Sequence, residues 1–332
     1  MIHDHLGLLG GTRLRRAARC RGTILFAAVL VFALTWSVGI ASAAPGPKGT
    51  VQITVPGGPL GLAQGFGSIW VSSHRDTYLY RINPATNRVQ NRIDMGQNAC
   101  GQITVSADRL WIDHCDTSTS TIAVDPSTDT VVGSIDAGSL SAGVGFGSIW
   151  LSSNGGAPTE LLRVDPHSLA ISARIPVGNG GAYITTAFGA VWVSNIDDGT
   201  ISRIDPSTNT VAKTFRLGTP GDAMLVPAGG SLWSVSNGAQ RLLRINPASL
   251  TVTPTSARTK MPNGTDPIVA VGKGSLWFMS TSAELDRVSV RTGKLQQRIP
   301  VIAPGAQHVL FAANSVWIAA FDADTVLRVP VQ

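Results

Sequence analysis

Residues 65–73 read GFGSIWVSS, and eighty residues later residues 145–153 read GFGSIWLSS, with one residue changed. A phrase repeated at a fixed distance is the sequence mark of a repeat architecture. Tryptophan carries the period. Trp70, Trp111, Trp150, Trp192, Trp233, Trp277 and Trp317 are separated by 41, 39, 42, 41, 44 and 40 residues, each in a frame such as GSIWVSS, GAVWVSN or GSLWFMS. A second landmark follows each tryptophan: RINPATNRVQNRI from Arg81, RVDPHSLAISARI from Arg163, RIDPSTNTVAKTF from Arg203 and RINPASLTVTPTS from Arg244. Proline presets φ for the turn and the Asp or Asn before it can cap the turn with its own side chain, so this reads as strand, Asx-Pro turn, strand.

Each unit therefore holds four short strands with turns between them, and no segment has helical periodicity. Four antiparallel strands per unit, with one tryptophan in each of seven units, predict an all-β, seven-bladed β-propeller. Apolar residues on both faces of a strand, Ile69 and Val71 against Trp70, fit blades packed on two sides. The seventh repeat, NSVWIAAFDADTVLRVPVQ, has room for three strands only, while GTVQITVPGGP from Gly49 matches the outer strands of other repeats. A strand near residues 50–56 is expected to complete blade seven and close the ring, which removes an open sheet edge.

The 332 residues carry 26 basic and 20 acidic side chains. Five of the arginines, Arg13, Arg15, Arg16, Arg19 and Arg21, precede an apolar run from Thr23 to Ile40 that ends in Ala41-Ser42-Ala43. Without residues 1–43 the count falls to 21 basic against 19 acidic, a formal charge of +2, and no nucleic-acid binding is expected. The run of 18 residues is long for a signal peptide and just long enough for a membrane span. Residues 1–43 are thus expected to be a signal peptide or an N-terminal membrane anchor, and residues 44–332 a propeller exported to the periplasm or the exterior. Cys100 and Cys115 fall opposite each other when the register that pairs Ser106 with Arg109 is extended, and an oxidising compartment would join them.

Propellers bind at the face where the inner strands begin. The loops leading into those strands offer Tyr183, Asp222, Asp266, Gln307 and His308, and the loops after the tryptophan strands offer His74, Asp76, His114, Asn154 and Asn195. No nucleophile elbow, HExxH or phosphate loop occurs.

The repeats resemble YVTN-type seven-bladed propellers and the related virginiamycin B lyase (streptogramin lyase) family, from about Thr50 to the C-terminus. That resemblance implies a histidine base and glutamates holding Mg²⁺. The family's histidine positions correspond here to Leu60, Gly101, Leu140, Ala182, Ala223, Pro267 and Gln307, with His308 one residue displaced. Three residues after each tryptophan, where the family has glutamate, stand Ser73, His114, Ser153, Asn195, Ser236, Ser280 and Ala320. The leading expectation is therefore a monomeric, cofactor-free binding module for a small molecule, an envelope glycan or a protein partner. The alternative is a metal-assisted lyase or hydrolase with His308 as base and Asp222 and Asp266 as Mg²⁺ ligands.

Overall fold

The computed structural model describes residues 46–98, 100–113, 120–137, 141–153, 159–217, 224–236, 240–258 and 268–332. These residues form seven antiparallel sheets of four strands each. Blade one runs Pro59–Gly65, Ser68–Ser73, Tyr78–Asn83 and Arg88–Asp94, paired in chain order from the axis outward. Ring closure follows the expectation. Blade seven is built from Ala306–Ala312, Ser315–Ala320 and Thr325–Pro330, and its fourth strand is the N-terminal Val51–Thr54, with Val51 opposite Arg328 and Thr54 opposite Thr325. The one helical element among the described residues is a single 3-10 turn, Phe321–Ala323.

All seven repeat tryptophans are fully buried. Each inserts into the face of the following blade, so the core is seven inter-blade clusters: Trp70 packs against Leu110 and Ile112, and Trp317 against Ile69 and Val71. Ile69 and Val71 thus face the seventh blade while Trp70 faces the second. A buried indole N–H needs an acceptor. In six blades it donates to the last carbonyl of the inner strand, as Trp70 does to Gly65 and Trp317 to Ala312, both at 3.0 Å. In the second blade Trp111 uses the Ser106 hydroxyl instead, at 3.1 Å.

The arginine that opens each RIxP phrase sits directly across the ladder from the tryptophan, as with Trp70 and Arg81 or Trp317 and Arg328. Its guanidinium lies over the indole, 4.9 Å from the ring centroid for Arg81 and 5.2 Å for Arg328. The head then ties neighbouring blades together. Arg328 donates to the Pro84 carbonyl at 2.6 Å and to Asn87 Oδ1 at 2.7 Å, and Arg81 donates to Pro126 and Asp129 of the second blade in the same way. The second blade has Ala123 at this position, and Arg109 reaches the Pro166 carbonyl in its place at 2.7 Å.

The Asx-Pro turns behave as read. Asn83, Asp125, Asp165, Asp205 and Asn246 each accept the N–H two residues ahead at 2.8–3.0 Å. Hydrogen bonds from Ser127 and from Ser207 hold the carboxyls of Asp125 and Asp205 below the ordinary range, and the backbone N–H of Ser168 does the same for Asp165.

Candidate functional site

The seven inner strands enclose an axial cavity of about 430 Å³. Every blade contributes to its wall, from Leu62 and Gln64 of blade one through Gln102, Ser141, Thr185, Val226 and Val269 to His308 of blade seven. Inner strands are sheet edges, with a row of backbone groups turned away from their own blade. Side chains of neighbouring blades satisfy part of that row. The Thr104 hydroxyl donates to Ala142 O at 3.0 Å, Thr185 to Leu225 O at 2.6 Å, and Thr186 to Val144 O. Ser72 bridges blades one and two, accepting from Gly61 N at 2.8 Å and donating to Gly101 O at 2.7 Å.

His308 spans the seam between blades seven and one. The inner strand of blade seven slips register between Ala306 and His308, so Gln307 is the bulged residue and His308 pairs with Ala319. A bulge re-aims the side chain that follows it. The His308 ring is buried, and its Nδ1 accepts the Leu62 backbone N–H of blade one at 3.0 Å. That bond uses the lone pair of the neutral imidazole and puts its proton on Nε2. Burial pushes the imidazole pKa down to about 3. The result is a neutral ring with one N–H to give.

Among the described residues, no carboxylate, lysine or arginine lines the cavity. Its polar groups are amides, hydroxyls and one neutral imidazole. Because Thr104 and Thr185 spend their protons on carbonyls, their oxygens remain as acceptors, and His308 Nε2–H is a donor.

Of the other sequence candidates, Tyr183, Asn195, Asp76 and His74 are described and do not line the cavity. Tyr183 is buried beside the cavity, in the bulged inner strand of blade four and bridged to Ser141. Asn195 is buried outside the cavity wall, its Nδ2 donating to Thr200 at 3.0 Å and Ser202 at 2.9 Å. Asp76 accepts from the Tyr80 hydroxyl at 2.7 Å and from Tyr78 N at 3.0 Å, while His74 stands exposed with its ring edge-on to Phe321, 5.6 Å between centroids. Both belong to the seam between blades one and seven, where Arg75 lies 4.3 Å over Phe321 and within 3.8 Å of Asp324. His114, Asn154, Asp222, Asp266 and Cys115 lie outside the described residues, as do residues 1–43. Gln64, Thr104, Thr185 and Thr186 stand on strands, where the loop rule does not look. The signal present was hydroxyl side chains inside otherwise apolar inner strands.

A family model described as a repeat of unknown function (DUF6923) matches residues 157–307. No curated protein matches the chain. Among solved structures, virginiamycin B lyase from Staphylococcus aureus superposes with a TM-score of 0.71 at 16% identity, covering 85% of this chain and 99% of that one. A catalytically inactive variant of that lyase with quinupristin gives 0.69 at 18% identity, covering 85% and 99%. Hydrazine synthase from Kuenenia stuttgartiensis gives 0.69 at 11%, covering 83% and 96%. The class is thus a seven-bladed β-propeller. Within it, this chain is similar in fold to the virginiamycin B lyases, as its repeats suggested.

Proposed function

We propose that this chain is an exported binding module that takes an uncharged, hydroxyl- or amide-bearing ligand into its axial cavity from the loop-bearing face. The observation that carries the reading is the chemistry of the described wall: polar side chains without a formal charge from blades one, two, three, four and seven, beside apolar residues from blades five and six. A cavity of about 430 Å³ lies within the ordinary size range of small-ligand sites. A short neutral glycan is the first probe because its hydroxyls match the threonine and amide groups. The apolar run from Thr23 to Ile40 supports export.

The lyase reading is the second one, favoured by the structural likeness. It asks His308 to accept a proton, yet the lone pair of its neutral form already receives the Leu62 N–H. Among the described residues no group of three or more histidines, cysteines or carboxylates is placed to hold a metal ion, so the donor set there does not fit Mg²⁺. Asp222 and Asp266 lie outside that set.

Export also supports a Cys100–Cys115 disulfide. Thr104 opposite Trp111 and Val105 opposite Leu110 continue the register on which that pairing was extrapolated. Thermal unfolding against an array of neutral oligosaccharides tests the function. A ligand should raise Tm, and the rise should vanish in Thr185→Val. Ring opening of a streptogramin that disappears in His308→Ala would overturn the proposal in favour of the lyase.

A further inference from the structure

The two-residue hairpins joining first and second strands place Phe66, Phe146 and Phe188 at φ 52°, 56° and 52°, each followed by a glycine at φ 71°, 68° and 72°. A turn with two successive positive φ values suits Asn-Gly or Gly-Gly, and for a bulky side chain the left-handed region is strained. The turn itself has no need of an aromatic ring. Blades five, six and seven close it with Gly229-Gly230, Lys273-Gly274 and Ala313-Asn314. All three phenylalanines are also exposed, by 37–42%. Each therefore sits in unfavourable backbone and in water at once, and neither the turn nor the core accounts for it.

They share one end of the blades. That end also carries the exposed valines 131 and 132 and Leu295, at the start of outer strands, whereas Ile302 alone among the exposed large apolar residues of the described chain lies toward the opposite end. Around the glycines of the three Phe-Gly turns there is open space, so the tips stand proud of the surface. Of the carboxylates at this end, Asp125, Asp165 and Asp205 are held by the N–H groups of their own turns, Asp129 is paired with Arg81, and Asp108 lies 3.7 Å from Arg109 and His167.

The chain also enters the propeller here. Val51 lies opposite Arg328 and Ser315 opposite Pro330, beside the Ala313-Asn314 hairpin, and Gly49 abuts Pro330. Only residues 41–45 separate the described chain from the apolar run ending at Ile40.

We infer that the hairpin end of the propeller is a membrane-docking face, with Phe66, Phe146 and Phe188 entering the lipid interface and the loop-bearing end directed away from it. Apolar area rather than charge carries the attachment, because both signs occur on this end; rings at the headgroup boundary are the usual form of such contacts.

The test uses the full chain with a protease site placed in residues 41–45, bound to phosphatidylcholine vesicles, cut, and sedimented. The released propeller should stay in the vesicle pellet. Phe66→Asn/Phe146→Asn/Phe188→Asn should fall at least tenfold in the bound fraction while its Tm is unchanged or raised, because asparagine is at home in the left-handed region. Wild type leaving the vesicles as freely as the variant would overturn the inference and leave the face to a protein partner. A marked drop in the variant's Tm would overturn it equally, by making the rings part of the packing.

Discussion

Leu62 and His308, 246 residues apart, are joined by a 3.0 Å hydrogen bond from the backbone N–H of the first blade to the imidazole Nδ1 of the last. One contact thus locks the ring at its inner edge and fixes the protonation of the one histidine in the axial cavity wall. Replacing His308 by leucine should leave the Leu62 N–H buried without an acceptor and cost about 1–3 kcal/mol, whereas His308→Gln, which keeps an acceptor, should cost less. Urea unfolding of the two variants checks this. Equal losses would count against the bond.

The same histidine gives stability a pH dependence. Its pKa falls from about 6.5 unfolded to about 3 folded, so below 6.5 the unfolded chain binds a proton that the folded chain refuses. Its contribution should decline by about 1.4 kcal/mol per pH unit as pH falls from 6.5, levelling off near 3. The turn carboxylates Asp125, Asp165 and Asp205 act in the same direction at lower pH, their contribution present above the unfolded pKa and lost as pH falls through the folded one. The difference between wild type and His308→Gln isolates the histidine. A difference flat from pH 7 to 4 would contradict the account.

Arg203 has a buried Nε with no hydrogen-bond partner, and the reason is a single substitution in the repeat. Where the matching arginines donate Nε to Ser68, Ser148, Ser231, Ser275 or Ser315 at 2.8–3.0 Å, blade four carries Ala190. Ala190→Ser should therefore raise stability by about 0.5–1.5 kcal/mol. A lower urea midpoint in that variant would show that the repeat geometry does not carry over.

Asp286 is 1% exposed and held by two bonds from Arg298, 2.8 and 3.0 Å, between the third and fourth strands of blade six. Arg298→Met would leave a buried carboxylate without its main partner. The expected loss is about 3 kcal/mol, at the low end for such pairs because Arg298 is itself half-exposed. Adding Asp286→Asn should recover part of it, and a double-mutant cycle by thermal unfolding measures the coupling.

If Cys100 and Cys115 are joined, reduction should lower stability by about 3 kcal/mol through the freed short loop. Peptide mapping without reductant should recover the two cysteines in one linked fragment. Two separate, alkylatable thiols would remove the disulfide.

The propeller was legible because each blade repeats the same physical demand: an indole for the next blade, an arginine to cover it, an Asx-Pro turn for that arginine to grasp. Trp70, Arg81 and Asn83 state this in fourteen residues, and strand closure by Val51–Thr54 followed from the missing fourth strand. The cavity was not legible in the same way. Thr104 and Thr185 look like ordinary strand residues until the neighbouring blade supplies their acceptors. By sequence His308 is a candidate base, but its lone pair is committed to a residue at the other end of the chain, which no local pattern reveals. Asn195 and Tyr183, chosen as loop polar groups, are buried because the strands run further than the turn signals suggested.

The proposed function rests on His308 standing in the cavity wall as a neutral donor. Nitrogen-15 spectra of the histidine-labelled chain test it directly. The account predicts a His308 signal of the Nε2–H form that stays neutral from pH 7 to pH 4 and shifts when a neutral oligosaccharide that raises Tm is added. A His308 that titrates near pH 6.5, with Nε2 free to accept a proton, would contradict it.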